Sequence, residues 1–154
     1  MKQPIILAGL VSSLSLACGA CATEPSKTGL SGTWTYSDLS MANDQVTCAI
    51  HGATLILTQQ GLAFDGTMGG AQLTCSILPD TITLDSLLVV DGYLRGDSLG
   101  FRFNSAPLLA QWSHHGRVVG DSIGGIVTVS PAFCDPGPCL DLVLVGTWGA
   151  IRVP

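Results

Sequence analysis

Ser98-Leu99-Gly100-Phe101-Arg102-Phe103 sets apolar side chains against small or polar ones in strict alternation. A β-strand turns successive side chains to opposite faces, so Leu99, Phe101 and Phe103 share one face while Ser98, Gly100 and Arg102 share the other. One face of this strand is expected to be buried. The same reading extends to Gly32–Asp38, Ala53–Gln59, Leu62–Met68, Gln72–Ile77, Leu87–Arg95, Leu109–Val119, Asp121–Val129 and Leu140–Val153, the last read as two strands split at Gly146. Turn residues stand between them, as at Gln60-Gly61, Gly69-Gly70, Asp91-Gly92 and His115-Gly116. No stretch carries a helical repeat free of Gly or Pro. The expected fold is all-β, an antiparallel up-and-down barrel of about 8–10 strands, with a β-sandwich as the alternative.

An internal echo supports the meander. Gly96-Asp97-Ser98 recurs as Gly120-Asp121-Ser122, 24 residues on, with Phe64-Asp65-Gly66-Thr67 as a fainter third copy. Each unit reads as a strand, a Gly-Asp reversal and a strand.

Composition agrees. The 154 residues are 47% hydrophobic and only 11% charged, with 19 Gly and a formal charge of −5. One domain is the default at this length. The low count of Lys and Arg, with no basic cluster, argues against nucleic acid as a partner.

Residues 1–22 have the layout of an export signal: Lys2, an apolar stretch from Ile5 to Leu16, then small residues. That stretch is shorter than the ~20 residues that span a bilayer. Leu14-Ser15-Leu16-Ala17-Cys18 is similar to a bacterial lipobox, which makes Cys18 the lipidation candidate. Ala20-Cys21-Ala22 also suits ordinary cleavage before Thr23, and Cys21 is a third possibility. Residues 23–29 then form a tether and 30–154 the barrel domain. The expected location is the bacterial cell envelope, anchored to the membrane by the N-terminal lipid only, with a soluble periplasmic or secreted form as the alternative.

Export makes disulfides the expected state of Cys48, Cys75, Cys134 and Cys139. Three connectivities are possible. Asp135-Pro136-Gly137-Pro138 favours a tight Cys134–Cys139 loop, which leaves Cys48 to pair with Cys75. A metal site of these thiols with His51, His114 and His115 lacks a C-x-x-C pair in the mature chain, so neither metal nor cofactor is expected.

Gly96-Asp97-Ser98-Leu99 is similar to the signature of GDSL-type lipases and esterases, where Ser is the nucleophile. Here it lies mid-chain among strands, the Asp-x-x-His block is missing ahead of His114 and His115, and the echo marks the triplet as a turn. No catalytic residue is therefore assigned.

Gly32-Thr33-Trp34 at the start and Gly146-Thr147-Trp148-Gly149-Ala150-Ile151-Arg152 at the end resemble the lipocalin and wider calycin pattern, more closely that of small lipocalin-like lipoproteins of bacterial envelopes. The resemblance implies that Trp34, Trp148 and Arg152 close the barrel, a guanidinium lying on an indole face. It also implies a binding protein for a small apolar molecule, lined by Leu99, Phe101, Phe103 and Trp112. The alternative is a barrel filled by its own side chains, acting as a structural or inhibitor-like partner of an envelope protein, with the apolar loop Ser105 to Leu109 as a contact surface.

Overall fold

Alternation is realised as eleven strands in the computed structural model, which describes residues 29–105, 110–131 and 143–154. They are β1 (Gly32–Ala42), β2 (Thr47–His51), β3 (Ala53–Gln60), β4 (Ala63–Gly69), β5 (Ala71–Cys75), β6 (Ile82–Leu84), β7 (Leu87–Arg95), β8 (Ser98–Ser105), β9 (Ala110–Val119), β10 (Ser122–Pro131) and β11 (Leu144–Arg152). The export signal, Cys18, the tether up to residue 28, Cys134, Cys139 and the loop 106–109 lie outside the described residues.

Eight strands close on themselves in the order β1-β3-β4-β7-β8-β9-β10-β11, with β11 returning to β1. All neighbours are antiparallel, from Trp34 opposite Arg152 to Ser122 opposite Val119. This is a closed antiparallel barrel, as expected. Closure removes the free edges that an open sheet of this length would present.

The remaining strands, β2, β5 and β6, form a flap that was not foreseen as a unit. The pairing of β2 with β5 continues that of β3 with β4 without a change of register, from Cys48 opposite Cys75 to Gln60 opposite Ala63. The two form one long hairpin, creased where Gly52 and Gly70 take φ of 72° and 69°. Left-handed backbone suits Gly because no Cβ meets the preceding carbonyl. The crease crosses the next strand pair at Ser86, at φ 58°, where the Asp85 carboxylate accepts the Gly70 amide at 3.2 Å. Beyond the crease the flap keeps its inner face apolar, burying Cys48, Ile50, Ala71, Leu73 and Leu84.

The disulfide Cys48–Cys75 staples the outer end of this flap. In the chain-entropy model a loop of this length contributes about 3.5 kcal/mol. Replacing both Cys by Ser is expected to lower the unfolding free energy by about 2–4 kcal/mol, read from urea midpoints in oxidising buffer; an unchanged midpoint would mean the staple holds nothing.

Four expectations need correction, two of them the turns expected at Asp91-Gly92 and His115-Gly116, which lie inside β7 and β9. Residues 144–152 are one strand, not two split at Gly146; Gly146 pairs with Met41 and with Val127 inside the sheet. A Cβ there would lie 2.0 Å from the Ser40 carbonyl, so this glycine marks a close approach of strands and not a turn. Asp65-Gly66 is likewise mid-strand in β4. The third member of the turn series is Gly61-Leu62.

In that series Gly61, Gly96 and Gly120 open two-residue turns at φ of 65°, 63° and 60°. A Gly at positive φ in the first turn position is what a type II′ hairpin demands. Each turn's second carbonyl is capped by a later strand: Leu62 by the Leu94 amide, Asp97 by Val118 and Asp121 by Arg152, all at 2.8 Å. These turns define one end of the barrel, and the flap defines the other.

Candidate functional site

The turn end is closed by Trp34, which is fully buried and donates from Nε1 to the Leu30 carbonyl at 3.0 Å. The Arg152 guanidinium lies 4.2 Å from the Trp34 ring centroid. It also donates to the carbonyls of Ser31, at 2.7 Å, and Gly29, and its Nε reaches Asp121 at 3.1 Å. A planar fork of donors can satisfy three acceptors while its face stays on the indole, which lysine could not do. Trp148 is elsewhere. It sits four residues back along β11, about 13 Å at strand rise, and belongs to the middle of the barrel.

That middle is filled. Tyr36 stacks on Trp148 with centroids 5.6 Å apart, and Phe101 stacks on His114 at 4.5 Å. Phe103 and Trp148 meet the His114 ring edge-on at 5.0 and 5.1 Å. Trp148 gains its room from Gly116, where a Cβ would come within 3.2 Å of the indole. Leu99, Phe101 and Phe103 are buried here, and Phe101 and Phe103 pack against neighbouring rings.

His114 is the buried polar side chain of this core. Its Nε2 and the Tyr36 hydroxyl are 2.8 Å apart, while Nδ1 faces the Trp112 backbone without reaching ordinary hydrogen-bond geometry. Burial pushes the His114 pKa down to about 3, because an imidazolium here would lose its water. The imidazole is neutral. Burial likewise raises the Tyr36 phenol far above its usual range. His115, one residue on, faces outward, where its Nδ1 meets the Tyr93 hydroxyl at 3.3 Å.

Under the flap lies an apolar pocket of about 170 Å³. Met41 and Val46 line it from β1 and the turn that follows, Cys48, Leu73 and Cys75 from the flap, and Trp112, Val129 and Leu144 from the barrel strands. The walls present no polar atom to it. Of the four side chains expected to line a ligand site, Trp112 alone reaches this pocket. Of the flap strands, sequence reasoning finds β5, within Gln72–Ile77, and misses β2 and β6, the latter only three residues long. The signal that could have found them is the pair Cys48 and Cys75.

No protein-family model matches this chain, and no curated protein does. Among solved structures it is similar to a mutant of the fluorescent protein UnaG at 14% identity and a TM-score of 0.33, over 80% of this chain and 95% of that one.

The esterase-like tetrapeptide has a structural explanation. Gly96-Asp97 is a hairpin turn, Asp97 binds Arg117 from Nε at 3.1 Å, and that hydrogen bond holds the Asp97 carboxyl below its ordinary range. Asp121 and Arg152 repeat the arrangement at the echo. Ser98 is on the outer face of β8 and His114 inside the barrel. Among the described residues no group of His, Cys, Asp or Glu could hold a metal ion.

Proposed function

We propose that this protein is a non-catalytic binding barrel for a small apolar molecule, held not in the barrel centre but in the pocket beneath the stapled flap. The observation that carries it is a pocket of about 170 Å³ beneath the flap whose walls are wholly apolar. A pocket of this size admits a small apolar ring, which gains dispersion contacts with the walls at no polar cost. The export signal and Cys18 support placing this activity in the envelope, tethered by lipid.

The expected result is saturable binding of toluene to the full chain, followed by amide shifts at Leu73, Ala110 and Trp112 in heteronuclear spectra. Ala110→Phe fills the pocket and should abolish those shifts while leaving the dispersion of the remaining spectrum intact. Absence of saturation in the unaltered protein would reject the site.

The filled centre favours a second reading, a solid barrel that docks on another envelope protein. Native mass spectrometry of protein extracted gently from its envelope separates the two: an apolar adduct lost on denaturation supports the binding barrel, and an empty, oxidised chain supports the solid one.

A further inference from the structure

Among the described residues the two most exposed large apolar side chains are Val119, at 72%, and Leu62, at 70%. Both stand at hairpin tips of the turn end, beside Gly120 and Gly61. Scattered apolar residues are ordinary on any surface, but Leu62 interrupts a pattern. It fills the second turn position that Asp97 and Asp121 fill at the two equivalent turns, where each aspartate is held by an arginine, Arg117 or Arg152. Val153, also exposed, follows Arg152 at the same end. Arg95, exposed beside the Gly96 turn, adds a cation to this rim.

The chain enters the barrel at this same end. The Leu30 amide donates to Gln59 Oε1 at 2.6 Å, the Leu30 carbonyl accepts from Trp34 Nε1, and Arg152 donates to the carbonyls of Gly29 and Ser31. Side chains of the barrel thus fix where residue 29 sits. We propose that the turn end is a lipid-docking face, on which Leu62, Val119 and Val153 enter the interfacial layer of an anionic bilayer while Arg95 meets a lipid phosphate. The proposal rests on Cys18 being the lipidated residue and is independent of the pocket. Eleven residues, Cys18 to Thr28, then join the acyl chains to Gly29, a reach of at most about 40 Å. The barrel wall rises about 25 Å from this rim to the flap, for the nine residues of β11 at the tilt that a closed barrel imposes. Turning the flap to the membrane would consume most of that reach, whereas the turn end needs almost none of it. The rim side chains add to the anchor in proportion to the apolar area they bury, and Arg95 adds attraction to anionic headgroups. The flap and its pocket then face away from the bilayer, open to the aqueous side.

The test takes the protein as the cell processes it, with acylation at Cys18 read from its mass, in nanodiscs of phosphatidylethanolamine and phosphatidylglycerol that carry a nitroxide lipid. Methyl spectra then report which leucines and valines lie near the bilayer. Leu62 and Val119 are expected to lose at least about threefold more intensity than Leu88 and Val145, which are also apolar and exposed but stand at the flap end. This readout uses the unaltered protein. Leu62→Asp installs the residue of the two matching turns, so it should keep the core methyl spectrum and weaken the nitroxide effect at Val119 by at least about threefold.

Equal loss at the two ends of an acylated protein would show a barrel that hangs free of the lipid, which overturns the proposal and leaves the rim to a protein partner. Greater loss at Leu88 and Val145 would overturn it by placing the flap against the bilayer. So would a Val119 effect indifferent to Leu62→Asp. A mass without acyl groups at Cys18 is a different failure: it removes lipid anchoring from the proposed function, and the docking face falls with it.

Discussion

Acidification below pH 6.5 should destabilise the fold, by up to about 1.4 kcal/mol per pH unit for the one proton involved. The cause is His114, whose pKa is pushed down to about 3 by burial while an unfolded histidine titrates at its model value of 6.5. Between these values the unfolded chain holds a proton that the folded chain refuses, so stability rises with pH across the window. It is fully present above about 6.5 and lost as pH falls. The measurement is a series of urea unfolding curves from pH 7.5 to 5.5, a range that stays above ordinary carboxylate titration.

His114→Phe separates this effect from packing. Phenylalanine can keep the stack on Phe101, but the Tyr36 hydroxyl loses its partner, a pH-independent cost of about 1–3 kcal/mol. The variant should therefore start lower at pH 7.5 and lose the slope below 6.5. Parallel slopes in the two proteins would mean that His114 takes up a proton inside the barrel. At the alkaline end the raised Tyr36 pKa gives the opposite slope: the unfolded phenol ionises above 10 and the buried one does not, so stability falls as pH rises beyond that value.

Trp34→Ala should cost about 3–5 kcal/mol, the range for truncating a fully buried large aromatic side chain. The loss extends beyond volume, because Arg152 uses the indole face as the platform from which it bonds Gly29, Ser31 and Asp121. Arg152→Lys, which keeps the charge and loses the fork, should cost about 1–2 kcal/mol. Chemical denaturation monitored by near-ultraviolet circular dichroism would read both. A Trp34→Ala midpoint within about 1 kcal/mol of the unaltered protein would show that the barrel end closes without its plug.

The resemblance that led to Trp34 and Arg152 concerned two short motifs at opposite ends of the chain, and the structure brings them into contact across the β1–β11 closure. The same resemblance groups Trp148 with them, and Trp148 does share a strand face with Arg152. A shared face does not mean a shared level, and four residues of strand rise carry Trp148 into the centre. The lining set met the same limit. Leu99, Phe101 and Phe103 were correctly read as sharing one face, but whether that face meets a cavity or another ring depends on strands far away in sequence.

What the sequence by itself determined is local: period-2 alternation, the Gly-Asp reversals and the cysteine pair that remains once the Pro-Gly-Pro loop is set aside. These follow from backbone sterics and side-chain direction, which act over a few residues. The tertiary structure decided the rest. Which of His114 and His115 points inward was settled by pairing across strands, with Phe101 opposite His114, because alternation names two faces without saying which is the inside. The flap and its pocket arose only when β2, β5 and β6 were creased at Gly52, Gly70 and Ser86 over the open end of the barrel. Closure of the sheet selects which buried faces meet, and a void is a property of that meeting and not of any one strand.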